Sequence, residues 1–233
     1  FEIQRYTSHE SEITGAMKVI DLTGEISVGC WTYGPPFPTV DIQKVARIEE
    51  IGYDAYKIVI ADHVGTHIDA SSHFFPGTMQ SSQIPLEQLM GEAQLLDFPT
   101  HNKPPTCITR TDFENVGSNV KSGDIVVIRT GWENHWKSED YVTKTPYMSN
   151  DAAEWLVEKK VKLVVGDLAL FCDPRVPSTE LIPDKILLKN SIPYINGLVN
   201  LGVINKQPFQ FIALPLKVKG VTGAPVRVVA IED

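Results

Sequence analysis

A single α/β domain is what this chain predicts, on three observations. Short β-branched or aromatic runs recur along the whole length, one clear amphipathic helix runs straight into such a run, and no linker, repeat or low-complexity stretch divides the 233 residues. Hydrophobic residues make up 42% and charged residues 21%, the balance of an ordinary globular protein with enough chain for one large core. The net charge of −8 argues against nucleic acid as a partner, because that role needs a positive surface to displace phosphate counterions. No apolar run approaches the ~18 residues of a membrane span, so no membrane partner is expected either.

Taken in order, residues 1–16 are polar, mixed in charge and without the apolar core of a secretory signal. They read as an extension ahead of a natural start at Met17, leaving 17–233 as the domain. Strands are predicted over 18–22, 55–60, 125–129, 162–165, 209–214 and 226–231, most of them bounded by Gly, Pro, Asp or Asn. A helix is predicted over 149–160, where a Ser-Asn-Asp start offers caps and Ala152, Ala153, Leu156 and Val157 form one apolar face. A second helix start is predicted at Thr111, which has capping-box spacing to Glu114, and a short helix over 85–90. Cys30, Cys107 and Cys172 are odd in number and widely spaced. They give neither a disulfide framework nor a thiolate metal knuckle, and point to a reducing cytoplasm.

The histidines are the anomaly. Three of the six, His63, His67 and His73, fall within eleven residues, where an even spread puts about 0.3. The segment is DHVGTHIDASSHF, residues 62–74. In extended chain His63, Gly65, His67, Asp69 and His73 share one face, while Val64, Thr66 and Ile68 take the other. A helix would pair His63 with His67 but carry Asp69 about 240° round. A straight strand fails too, since six residues at ~3.3 Å span about 20 Å, far more than two ligands of one ion allow. The chain must bend, and Gly65 is the residue that permits it. Two imidazoles and a carboxylate suit zinc, manganese or ferrous iron and leave positions open for water and substrate, the layout of a catalytic rather than a structural site. His73, four residues beyond Asp69, is the natural proton shuttle.

The stretch HVGTHIDASSHF (63–74) resembles the HxGTHxDAPxHF signature of the cyclase-like metal-dependent hydrolases, a family that includes bacterial kynurenine formamidases and isatin hydrolases. KVIDLT (18–23), VIRTGW (127–132), ALPLK (213–217) and GAPVR (223–227) are similar to further segments of the family in the same order. The resemblance implies a central, mixed, barrel-like β-structure flanked by helices and assembly as a homodimer or homotetramer. It makes His63, His67 and Asp69 metal ligands and His73 the catalytic acid/base, in agreement with the spacing argument. Two departures stand out. Ser71 replaces the usual Pro, a change of loop stiffness more than of chemistry. The positions where two-metal members carry a His and a Glu for a second ion hold Asp184 and Asn196. The neutral carbonyl of Asn196 argues against a second tightly held metal.

The expected cofactor is thus one divalent transition metal, zinc or manganese. Trp31, Phe74, Phe75 and Trp132 are expected to line a pocket for a small aromatic substrate, with Tyr33 and Phe37 offering further aromatic surface or ordinary loop packing. The leading function is hydrolysis of the carbon–nitrogen bond of a small aromatic amide, as in an arylformamidase of tryptophan catabolism acting on N-formylkynurenine. The alternatives are a single-metal, ring-opening hydrolase of a cyclic amide or lactone, and a catalytically idle metal-binding homologue.

Overall fold

The structure, a computed structural model, describes residues 17–99, 106–180 and 182–232. Residues 1–16, read above as an extension, lie outside the described residues. The elements follow in the order β1 (Lys18–Asp21), β2 (Asp41–Ala46), α1 (Ile48–Ile51), β3 (Ala55–Val59), β4 (His67–Asp69), β5 (Met90–Asp97), β6 (Cys107–Ile108), α2 (Arg110–Val116), β7 (Ile125–Arg129), β8 (Tyr147–Met148), α3 (Asn150–Glu158), β9 (Leu163–Gly166), α4 (Ile182–Lys189), β10 (Tyr194–Asn196), β11 (Phe209–Pro215) and β12 (Gly223–Glu232). Seven strands close into a mixed barrel in the order β12, β11, β5, β7, β9, β10, β4 and back to β12. The pairings β5 with β7, β7 with β9 and β9 with β10 are parallel, and the rest of the ring is antiparallel.

Period-two alternation explains the two-layered core. Ile125 and Val127 of β7 and Leu163 and Val165 of β9 fill the barrel with Ile68, Phe211 and Val228. The intervening Val126, Ile128 and Val164 face outward beneath the helices, against Phe113 of α2, Trp155 and Leu156 of α3, and Leu187 and Leu188 of α4. Strands buried on both faces read as unbroken apolar runs, which is why β7 and β9 are legible in the sequence. Several elements escaped it, among them the barrel strands β5 and β10 and the helix α4. β5 opens on Met90, Gly91 and Glu92 and lacks β-branched residues altogether, while α4 opens on Ile182-Pro183, with no Ser, Thr, Asp or Asn directly ahead of it in the sequence. The run over 55–60 does form a strand, β3, but outside the barrel. It pairs only with β2 in a separate two-stranded arm.

Two helix predictions are corrected. The cap of α2 is Thr109, not Thr111: Asp112 N–H donates to Thr109 Oγ1 at 3.4 Å and Thr109 N–H to Asp112 Oδ2 at 2.8 Å. Starting the helix there buries Phe113 fully and leaves Glu114 to pair with Arg110 on the surface. Over 85–90 there is only a 3-10 turn, Leu86–Gln88, because Met90 is already the first residue of β5. Thr109→Ala removes the cap and should lower stability by about 1 kcal/mol, seen as an earlier urea midpoint with unchanged metal content.

Candidate metal centre

The register of β4 decides which side chains meet. His67 and Asp69 share one face of the strand and Ile68 the other, which enters the barrel core. Across β10, Asn196 stands opposite His67 and Tyr194 opposite Asp69, so both join the histidine face. Across β12, Gly223 stands opposite Asp69. Its missing side chain is the slot that the His63 ring fills, since a Cβ there would come 2.5 Å from His63 Cε1. Gly65 turns the chain back with a φ of 61°, the bend the ligand spacing demands.

One ligand atom from each of His63, His67 and Asp69 lies within 4.8 Å of the other two, and all three residues are buried. His63 Nδ1 is 2.8 Å and His67 Nε2 3.4 Å from Asp69 Oδ1. The His67 Nδ1–H donates to the Gly65 carbonyl at 2.8 Å, which fixes the tautomer and leaves the Nε2 lone pair facing Asp69. Two nitrogens and a carboxylate oxygen, with one imidazole so oriented, fit a divalent transition metal.

His73 sits on the 3-10 turn Ser71–His73 that follows β4, with its ring centre 4.2 Å from that of His63. Its Nδ1 lies 3.2 Å from Thr222 Oγ1. The same hydroxyl donates to Asp62 Oδ2 at 3.3 Å and lies 3.0 Å from His63 Nε2, so one threonine orients both imidazoles. Ser71, the departure from the family signature, donates to the Leu188 carbonyl at 3.0 Å and ties the histidine loop to α4. Proline has no hydroxyl to do so.

Burial and charge pull these groups apart. Burial drives the His67 pKa down to about 4, with His63 and His73 adding to the effect. Burial also opposes charge on His63, but the Asp69 and Asp62 carboxylates outweigh it and hold its pKa above the usual imidazole range. The Asp69 carboxyl is buried yet held well below the carboxylate range by the imidazoles around it. Burial and then His63 lower His73, which is therefore neutral at pH 7. At Asp184, burial and then the Asp69 charge raise the pKa to about 7.

A cavity of about 630 Å³ opens over this cluster, with Asp69, His73, Asp184 and Asn196 among its polar lining and Tyr33, Phe37 and Phe74 as aromatic wall. The Tyr33 hydroxyl donates to the Ala169 carbonyl at 2.7 Å and stands 3.4 Å from His67 Nε2.

Of the four aromatics expected in the pocket, only Phe74 lines this cavity. Phe75 packs into the outer core beneath the helices. Trp31 lines a neighbouring cavity of about 960 Å³, which contains no histidine and shares Tyr33, Val142 and Thr143 with the first. Trp132 is structural: it is fully buried, donates from Nε1 to the Tyr141 carbonyl at 2.9 Å and stacks on His135. Its loop is tied down by buried Asp167, which accepts from the Thr130 and Gly131 N–H groups and the Thr130 hydroxyl. Sequence reasoning missed Asp62, Thr222 and Tyr194. Only Asp62, adjacent to the first histidine, carried a sequence signal; Tyr194 is brought in by strand register and Thr222 by the bend just ahead of β12, where its carbonyl accepts from the Ala70 N–H.

A buried His-His-carboxylate cluster with a neutral histidine beside it, on the wall of an α/β barrel and open to a small aromatic-walled cavity, is the layout of a catalytic metal centre. The family model described as "Putative cyclase" matches residues 20–171, more than half of the chain, and the protein belongs to that family. The kynurenine formamidase of Bacillus anthracis is 26% identical over 221 residues, spanning 91% of this chain and 96% of that one. The isatin hydrolase of Roseibium aggregatum is 25% identical over 250 residues, spanning 94% and 93%. A crystal structure of an isatin hydrolase bound to the product analogue thioisatinate superposes with a TM-score of 0.84 at 22% identity, covering 94% of this chain and 93% of that one, and shows the shared fold.

Gly223→Ala should displace His63 from its slot and weaken metal binding about 10–100-fold, measured by titration of metal-stripped protein. Unchanged affinity would show that the slot does not place a ligand.

Proposed function

We propose that the protein is a metal-dependent hydrolase of the carbon–nitrogen bond in a small aromatic amide, an arylformamidase acting on N-formylkynurenine or a close relative. The observation that carries this reading is the convergence of His63, His67 and Asp69 beside a cavity that His63, Asp69 and His73 line. A divalent metal held by those three residues, zinc or manganese, supplies Lewis acidity to a carbonyl and to a water at neutral pH. The protein's own part is proton transfer and exclusion of solvent. His73 has Nδ1 held by Thr222, which leaves Nε2 to take a proton from the attacking water and deliver it to the leaving nitrogen as the C–O bond forms and the C–N bond breaks. Phe74, 4.5 Å from the His73 ring between centres, and Phe37, 6.1 Å from that of His63, help keep bulk water away.

One observation favours a second reading, ring opening of a cyclic amide by a single metal. Asp184 and Asn196 occupy the cavity where two-metal relatives of the formamidase type place a His and a Glu. A neutral amide oxygen is a poor ligand for a second transition metal.

The assembly we propose is a homodimer or homotetramer. The β2–β3 arm presents Ile42, Val45, Tyr56 and Ile58 to solvent, and a lone two-stranded hairpin is marginally stable in water unless something packs on it. The three free cysteines fit a reducing cytoplasm, and no helix among the described residues is long and apolar enough to cross a membrane.

Purified protein should bind one transition metal per chain and hydrolyse N-formylkynurenine or isatin, with activity lost to chelator and restored by metal. His73→Ala should cut kcat about 10²–10⁴-fold while the bound metal stays. Activity in metal-free protein would overturn the assignment, and metal loss in the variant would make His73 a ligand. Light scattering should give a multiple of the chain mass, and Ile58→Lys on the arm should shift it towards the monomer.

A further inference from the structure

Asp184 and Asn196 each keep one buried oxygen that nothing satisfies. Both side chains are 1% exposed, both line the cavity that holds His63, Asp69 and His73, and Asp184 Oδ2 and Asn196 Oδ1 have no hydrogen-bond partner. Buried acceptors are almost always paired, because an unmet one has lost its water for nothing. The neighbouring Tyr194 and Cys172 favour the charged form of the Asp184 carboxyl, but neither satisfies Oδ2.

Two occupants fit a pair of unpaired buried acceptors, a cation or a group with two donor hydrogens. A cation needs several converging ligands. Among the described residues the one group of three His, Cys, Asp or Glu side chains that converges is His63, His67 and Asp69, and Asp184 is not part of it. Asn196, which adds no charge, is held on the neighbouring strand opposite His67. We propose that Asp184 and Asn196 form an amine-recognising subsite that takes the N–H bonds of a primary aromatic amine, the nitrogen set free when an aryl formamide or a ring amide is hydrolysed. This deepens the function proposed above and rests on it. Both readings of the reaction release such an amine, whereas a lactone releases a hydroxyl with a single O–H. A site built to hydrogen-bond a donor discriminates strongly against the isostere that lacks it, so the subsite selects amides over lactones.

The test uses metal-loaded, full-length protein and calorimetric titration with 2-aminoacetophenone and 2-methylacetophenone, two aryl ketones of the same shape that differ by NH₂ against CH₃. The amine should bind at least about tenfold tighter. Asp184→Leu and Asn196→Leu, close in volume, should each bring the two ligands to within about threefold without changing bound metal. Equal binding of the two ligands by the wild-type protein overturns the subsite and needs no variant to fold. Loss of a metal equivalent in Asp184→Leu also overturns it, in favour of a cation. The two levels of the argument fail separately: amine preference without hydrolysis of any amide overturns the reaction, while hydrolysis without amine preference overturns only the subsite.

Discussion

Closing the barrel through a strand of three residues is the constraint on which the rest of the molecule depends. β4 must pair with β10 on one side and β12 on the other, so each of its residues is fixed twice. Ile68 goes to the barrel core and the residues on either side of it must face away. His67 and Asp69 are therefore held by backbone pairing, with no reliance on the packing of their own side chains. A one-residue slip would put both into the core and Ile68 into the cavity. The same double pairing recruits Tyr194 and Asn196 from one neighbour and the empty position of Gly223 from the other, where His63 is seated. A centre built on paired strands keeps its geometry better than one carried on loops.

That logic also sets what could be read in advance. The convergence of His63, His67 and Asp69 was legible because alternation is a local property: His67 and Asp69 are two apart, and the bend at Gly65 follows from distances along the chain alone. β7 and β9 were legible because both faces are buried. Tyr194 and Thr222 could not be found by such reasoning. Tyr194 reaches the cluster by pairing with Asp69, and Thr222, just ahead of β12, by accepting from the Ala70 N–H, and nothing in the neighbourhood of either marks it. Trp132 and Phe75 failed for the opposite reason. Each lies near a recognisable motif, but proximity in sequence to functional residues says nothing of which face a side chain takes, and both turn to hydrophobic layers instead. The fold class was legible, whereas the arm was not separable from the barrel, because β3 carries the same β-rich signal whichever partner it has.

The centre gathers three imidazoles and a carboxylate out of water, an arrangement that would be costly if all four were charged. The structure resolves this by dividing the roles. Burial lowers His67, whose Nδ1–H is engaged by the Gly65 carbonyl, while the Asp69 and Asp62 carboxylates raise His63, whose proton a bound metal ion would replace. His73 is neutral and keeps one nitrogen engaged by Thr222. Three histidines within eleven residues of the chain are thus chemically distinct, and the difference lies in which acid or carbonyl each one faces.

The same contrast runs between two buried aspartates and separates structure from function more sharply than burial does. Asp167 and Asp184 are both at or near zero exposure, and burial raises both, to about 6 and about 7. By burial and titration alone they are alike. Asp167 spends both oxygens on the Thr130–Gly131 turn, accepting from two backbone N–H groups and a hydroxyl, and so holds a loop in place. Asp184, on the cavity wall, keeps one buried oxygen without a hydrogen-bond partner. An unmet buried acceptor is a standing cost to the fold, and its place beside the metal cluster, with a second unpaired oxygen on the adjoining strand, ties that cost to what the cavity binds.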